Sequence, residues 1–244
     1  MSRKFYQKEW FEIRFDSFAK MQKNKLAESG FYRSFYEKFF EKYSSYNDLP
    51  YTWLGIKNEI TDIVASIAGN GKKVLSIGCG TGYVESVLVS RGVDVSIIET
   101  TETPLKWISK SISSAKRFVG FFPEVLPENK KFDLIYINAV DYVFNDSELI
   151  DFLNKMKNSG HLEPGGQLFI FSASFYESGS ESIADKCKHL IKSIVFFLGL
   201  KHPGQFWGYA RTRQDYLKIA ESAGWVDIQD GFTEKNKTYY LSGR

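Results

Sequence analysis

Apolar positions recur along this chain with two periods, one of strands and one of helices. The run Val74-Leu75-Ser76-Ile77 is continuous, rich in branched side chains and reads as a buried strand. It passes directly into a glycine-rich turn, after which Val84, Val87 and Leu88 return at helical spacing. Val95-Ser96-Ile97-Ile98, Arg117–Gly120, Lys131–Asn138 and Gln167–Ser172 predict further strands. Helical stripes fill the gaps: Pro104–Ser114 with Leu105, Ile108 and Ile112 inward, Asp146–Lys157, and Arg213–Ala223 with Tyr216, Leu217 and Ile219. Asn145 or Asp146 caps the second of these and Thr212 the third. Trp225–Ile228 and Thr238–Leu241 close the pattern as a strand pair. Strands alternating with helices imply an α/β fold around a mostly parallel sheet.

The chain before this pattern is crowded with aromatics. Phe11, Phe15 and Phe18 fit one helical stripe, and Tyr32, Phe35, Tyr36, Phe39, Phe40 and Tyr43 fit another. Two helices broken at Ser29-Gly30 are therefore predicted, forming an extension over residues 1–50 that packs on the domain. A third amphipathic helix is expected from about Thr52 to Ile67, carrying Ile56, Ile60, Ile63 and Val64 on one face. The domain proper then covers 51–244. It holds an insertion, 174–210, longer than a simple strand-to-helix loop needs and helical from about Ser182 to Leu200.

A length of 244 residues suits one α/β domain with an extension. The formal net charge of +3 arises within the first fifty residues, and the rest is balanced. That argues against a nucleic-acid surface, which carries a clustered basic face. Two cysteines make no disulfide framework. The longest apolar run, 194–200, is too short to span a membrane, and no signal peptide is visible. Cytoplasmic residence, no membrane or nucleic-acid partner, and a monomer or homodimer are expected.

Chemistry concentrates at the turn. Glycines at 78, 80 and 82 permit positive φ, leave no Cβ against a ligand and open a helix N-terminus that favours an anionic group. Glu99, at the tip of the next strand, suits a bidentate bond to both hydroxyls of a ribose. A dinucleotide enzyme would share both features. However, Leu75-Ser76-Ile77-Gly78-Cys79-Gly80-Thr81-Gly82 resembles the first motif of class I S-adenosylmethionine-dependent methyltransferases. Phe132-Asp133-Leu134-Ile135 resembles that family's "fDli" strand, Leu162-Glu163-Pro164-Gly165-Gly166 its "LxPGG" turn, and Arg211-Thr212-Arg213 through Ala223-Gly224-Trp225 its common ending.

The resemblance covers roughly residues 50–244. It implies a Rossmann-like, doubly wound seven-stranded sheet with its last strand antiparallel, and an enzyme using S-adenosylmethionine and releasing S-adenosylhomocysteine. It also implies an N-terminal roof and a helical lid over the acceptor. Cofactor contacts carry over to Ser76, Gly78, Cys79, Gly80, Gly82, Tyr83, Glu99, Thr100 and Asn138. Many members place an acid after the third strand for the adenine amino group. Phe122 and Pro123 stand there instead, leaving backbone, packing or Glu124 to hold adenine. Asn138-Ala139-Val140-Asp141 is not the Asn/Asp-Pro-Pro-Tyr/Phe motif of adenine and glutamine N-methyltransferases.

No metal is expected. Ser172-Ala173-Ser174 offers no carboxylate, and Cys187 with His189 makes no tetrahedral set. His161 lies at the amino end of its strand, away from the cofactor. His202 is then the candidate base, with Asp141 and Tyr142 as alternatives. Trp207, Tyr209 and Arg211 are the candidate acceptor contacts, Arg211 as a clamp for phosphate or carboxylate. With Gln205 they suit an oxygen acceptor on a sugar or nucleotide-sugar. N-methylation of a small amine and a non-catalytic cofactor-binding module are the alternatives.

Overall fold

The structure, a computed structural model, describes residues 2–69, 71–177 and 203–244. The continuous apolar runs do form the centre of the sheet, because strands covered on both faces need no polar alternation. They are β4 (Lys73–Ile77), β5 (Asp94–Glu99), β6 (Arg117–Val119), β7 (Phe132–Asn138) and β8 (Leu162–Phe171). All five run parallel, with Val74 in register with Val95 on one side and Leu134 on the other. Two further strands, β10 (Gln229–Phe232) and β11 (Tyr239–Gly243), complete a seven-stranded sheet in the order β10-β11-β8-β7-β4-β5-β6. β11 is the antiparallel member, against β8.

Alternate residues of each strand feed opposite cores. Val74, Ile97 and Leu134 meet α2 (Tyr51–Ala68) and α3 (Tyr83–Ser90) through Ile60, Val64, Val84 and Leu88. Leu75, Ile98 and Ile135 share the other core with Leu149 and Leu153 of α4 (Asp146–Asn158) and Tyr216 of α5 (Arg213–Ser222). Both of these latter helices open on capping boxes, Asn145 with Glu148 and Thr212 with Asp215. The sheet is doubly wound, and its order turns at β4, which sits between β5 and β7. The crevice beyond the carboxyl end of β4 is therefore where a ligand is expected.

Several expectations need correction. Only the second aromatic stripe is helical, as α1 (Ser29–Lys42), and Ser29-Gly30 opens that helix rather than separating two. The first stripe lies among short strands and a single helical turn: β1 (Arg3–Gln7), β2 (Glu9–Trp10), β3 (Ile13–Arg14) and the turn Phe15–Ser17. Phe11 and Glu12 take positive φ and turn β2 back onto β3, which a helix cannot accommodate. β1 pairs with β9 (Gln205–Ala210), so the end of the expected lid insertion is a strand. The rest of that lid, 178–202, with the helix from Ser182 and with His202, Cys187 and His189, lies outside the described residues.

Pro104–Ser114 forms short 3-10 turns instead of one helix. The strand expected at Trp225–Ile228 begins at Gln229, because Asp227 sits at a φ of 51° and interrupts extended backbone. β8 extends through the Pro-Gly-Gly segment expected as a turn. Among the described residues, no helix is long and apolar enough to cross a membrane.

Candidate active site

A cavity of about 960 Å³ opens at the carboxyl ends of β4, β5 and β7. Its floor is the turn after β4, where Gly78, Cys79 and Gly80 face the space. A Cβ on Gly78 would collide with Val140, and one on Gly80 would lie 2.8 Å from the Tyr36 hydroxyl. Both glycines are thus required by close packing as well as by positive φ. Gly82 and Ser76, expected at the cofactor, lie off the cavity. Gly82 faces Ile108. Ser76 is buried in the sheet and donates at 2.6 Å to Glu85 Oε1, which also accepts from the Tyr136 hydroxyl at 2.5 Å. Burial pushes the Glu85 carboxyl up from its ordinary range.

Glu99 closes one side of the floor. Its Oε2 accepts from the Gly80 amide at 2.9 Å, and its Oε1 from the Thr100 amide at 2.8 Å and hydroxyl at 3.1 Å. Burial raises this carboxyl despite those bonds. Thr100, Thr101 and Phe121 continue the wall, and Phe121 is 69% exposed. The structure exchanges the neighbouring phenylalanines: Phe122, expected at adenine, is buried in the core beside Phe152 and His161. Glu124 points away from the cavity, 3.9 Å from Lys155. His161 bonds the Lys130 carbonyl at 2.7 Å, away from the cavity.

On the opposite side, Asn138 lines the cavity at the tip of β7 and accepts at 2.8 Å from Lys57 Nζ. Sequence reasoning passed over Lys57. The signal was its position between Ile56 and Ile60, a charged residue beside an apolar helical stripe. Burial pushes its ammonium down to about 8. Tyr83 also lines the space, donating to Asn58 at 2.9 Å.

The roof is aromatic and comes from distant segments: Phe5, Trp10 and Phe11 from the N-terminal strands, Tyr32 and Tyr36 from α1, and Trp207 from β9. Trp207 stacks on Phe15 at 4.9 Å and lies nearly parallel to Tyr142 at 6.0 Å. The Tyr32 and Tyr142 hydroxyls stand 3.3 Å apart. Burial pushes Tyr32 up to about 12 and Tyr142 up as well, so both stay protonated at neutral pH and serve as donors.

Three of the acceptor-side candidates lie elsewhere. Asp141 is fully buried, its Oδ2 accepting from Ser172 at 2.9 Å, Ser174 at 3.1 Å and the Tyr216 hydroxyl. Arg211 is buried as well, with Nε on Asp146 at 3.0 Å and its other nitrogens on the Asp141 and Phe144 carbonyls. It braces the segment after β7 and has no fork left for an acceptor. Tyr209 packs on Phe206, outside the cavity lining. Gln205 is spent on Lys25 and Gln22. Tyr142 and Trp207 are the two acceptor-side candidates that reach the cavity among the described residues.

Residues 53–226 match the model of a methyltransferase domain family. A comparison with curated proteins finds no match. Among solved structures, human N-acetylserotonin methyltransferase in complex with S-adenosylmethionine is 15% identical, with a TM-score of 0.56 over 89% of this chain and 56% of that one. The mitomycin 7-O-methyltransferase MmcR is 15% identical, with a TM-score of 0.55 over 77% and 53%. An O-methyltransferase family protein from Burkholderia thailandensis is 13% identical, with a TM-score of 0.55 over 89% and 60%. The chain thus spans between half and two thirds of the length of these structures, and at such identities the likeness carries the fold.

Proposed function

The chain belongs to this methyltransferase domain family, and from that membership we propose that it methylates an oxygen on a small acceptor with a flat, largely apolar body. S-adenosylmethionine is the cofactor, and the residues around the cavity fit it. Glu99 Oε2 keeps a lone pair for a ribose hydroxyl beyond the one bond it accepts, and Oε1 gains one when the Thr100 hydroxyl turns to another partner. Gly78 and Gly80 line the cavity without a Cβ, and Phe121 offers an exposed ring at the far end for the base. When bound, the cofactor would supply a sulfonium-borne methyl group that an in-line nucleophile attacks, with S-adenosylhomocysteine as the leaving group.

The protein's part is to hold the acceptor at attacking distance and exclude water. The observation that carries the acceptor reading is the roof, where Trp10, Tyr32, Tyr142 and Trp207 enclose the cavity above the turn. Such walls favour a planar ring, and the Tyr32–Tyr142 hydroxyl pair leaves one O–H free to orient an oxygen. Among the described lining residues the carboxylates are Glu28, Glu85 and Glu99. Glu28 is exposed at the rim, Glu85 is held by Ser76 and Tyr136, and Glu99 stands at the ribose side. An aromatic hydroxyl, which ionises near pH 10, needs less help from a base than an alkyl alcohol. Two of the solved neighbours are named as O-methyltransferases, which supports oxygen. Of the residues that suggested a sugar, Arg211, Tyr209 and Gln205 are turned to other partners, and His202 lies outside the described residues.

The test is a panel of acceptors incubated with methyl-labelled cofactor: naphthols, hydroxyindoles, hydroxyquinones, sugars, nucleotide-sugars and small amines. Methyl ethers of the aromatic hydroxyls are expected by mass spectrometry. Transfer confined to sugars or to amines would overturn the acceptor reading.

A further inference from the structure

Lys57 is a charge in the wrong kind of surroundings. It rises from α2 between Ile56 and Ile60 and stands at the cavity wall, 5.4 Å from the centre of the Trp53 ring. Its Nζ donates at 2.8 Å to Asn138 Oδ1, a neutral partner, and it makes no ion pair among the described residues. Burying an ammonium with no carboxylate in direct contact is costly; Glu85 and Asp141 favour the charge from further off, but burial outweighs them and the proton is easier to lose. Nothing in the packing of α2 requires a lysine at this point, since the helix is anchored by its apolar face. A group in the cavity with negative charge would repay the burial.

The cofactor carries one such group. Its sulfonium and ammonium are cationic and would be repelled by Lys57, while the carboxylate of its amino-acid end is the complement. The distances agree. Glu99 ends β5 and Asn138 ends β7, with β4 between them, so the two tips stand two strand spacings, about 10 Å, apart. Six bonds join the ribose ring to the carboxylate carbon, about 7.6 Å when extended. With a hydrogen bond of about 2.8 Å at each end the reach exceeds that separation, so the chain spans it short of full extension. Lys237, the other cation among the described lining residues, is exposed on the β10–β11 hairpin.

We propose that Lys57 receives the carboxylate of the bound cofactor, fixing the amino-acid end while Glu99 fixes the ribose. The inference rests on the cofactor and not on the acceptor reading, so the two fail separately. It is tested by calorimetry with S-adenosylhomocysteine, its analogue lacking the carboxylate, and 5′-methylthioadenosine. Wild-type protein is expected to prefer S-adenosylhomocysteine over the decarboxylated analogue by about 10- to 100-fold, the scale of a charge-assisted bond. Lys57→Met should lose that preference, binding S-adenosylhomocysteine more weakly by the same factor while 5′-methylthioadenosine binds as before. Equal wild-type affinity for the two full-length ligands would overturn the proposal without any variant. So would a Lys57→Met protein that keeps its affinity and loses only turnover, since that would make Lys57 a group acting on the acceptor.

Discussion

The floor and the roof of one cavity are built in different ways. The floor is local: a strand, a turn and a carboxylate at the next strand's tip, all between Lys73 and Thr100. The roof is assembled from Phe5, Trp10, Tyr32, Tyr142 and Trp207, residues brought together by pairings such as Arg3 with Ala210. The floor meets a ligand that is the same throughout a family, so few residues in fixed order suffice. On the proposed reading the roof meets the acceptor, where packing among aromatics can be rebuilt with any sequence that fills the space. Substitutions should therefore separate cleanly, with floor variants failing to bind cofactor and roof variants failing to hold the acceptor.

The largest effect is expected at Gly80. A valine there is held at a φ of 57° and places Cβ 2.8 Å from the hydroxyl of Tyr36, which lines the cavity. Binding of S-adenosylhomocysteine should fall on the order of 1000-fold by calorimetry while circular dichroism stays near that of wild type. Normal binding would move the cofactor away from this turn. Glu99→Ala comes next, costing about 2–4 kcal/mol of cofactor affinity through two charge-assisted bonds. Unchanged affinity would contradict the ribose assignment.

Trp10→Ala probes the other half. Trp10 stacks on Phe35 at 4.8 Å and lines the cavity. Its loss should raise the acceptor KM by about tenfold, from one aromatic contact and its buried area, with cofactor affinity within about twofold. A comparable loss of cofactor affinity would erase the division between floor and roof. The smallest effect is a matter of pH. The proposed carboxylate site at Lys57 carries its full charge only well below pH 8, since burial pushes the ammonium down to about 8 with Glu85 and Asp141 as its charged neighbours. Affinity for S-adenosylhomocysteine should decline by several-fold as pH rises through 8, and Lys57→Met should flatten the profile.

The same contrast governs what the sequence disclosed. β4, β5 and β7 were legible because strands buried on both faces read as continuous apolar runs. The N-terminal strands were not, since Phe11, Phe15 and Phe18 imitate a helical stripe while their fold depends on β9, some 200 residues on. Arg211 reads as a polar residue near a site, yet its partners at Asp141, Phe144 and Asp146 lie 65 to 70 positions away and bury it. Phe121 and Phe122 differ by one residue, enough to exchange wall and core. Lys57 was detectable as a charge set against an apolar stripe, but its place at the cavity wall beside Asn138 was not.

The most direct measurement is a structure solved with S-adenosylhomocysteine bound. The account predicts the ribose on Glu99, the carboxylate within hydrogen-bond reach of Lys57, and open space left beneath Trp10 and Trp207 for the acceptor. A ligand lying under the aromatic roof, with its ribose away from Glu99, would contradict it.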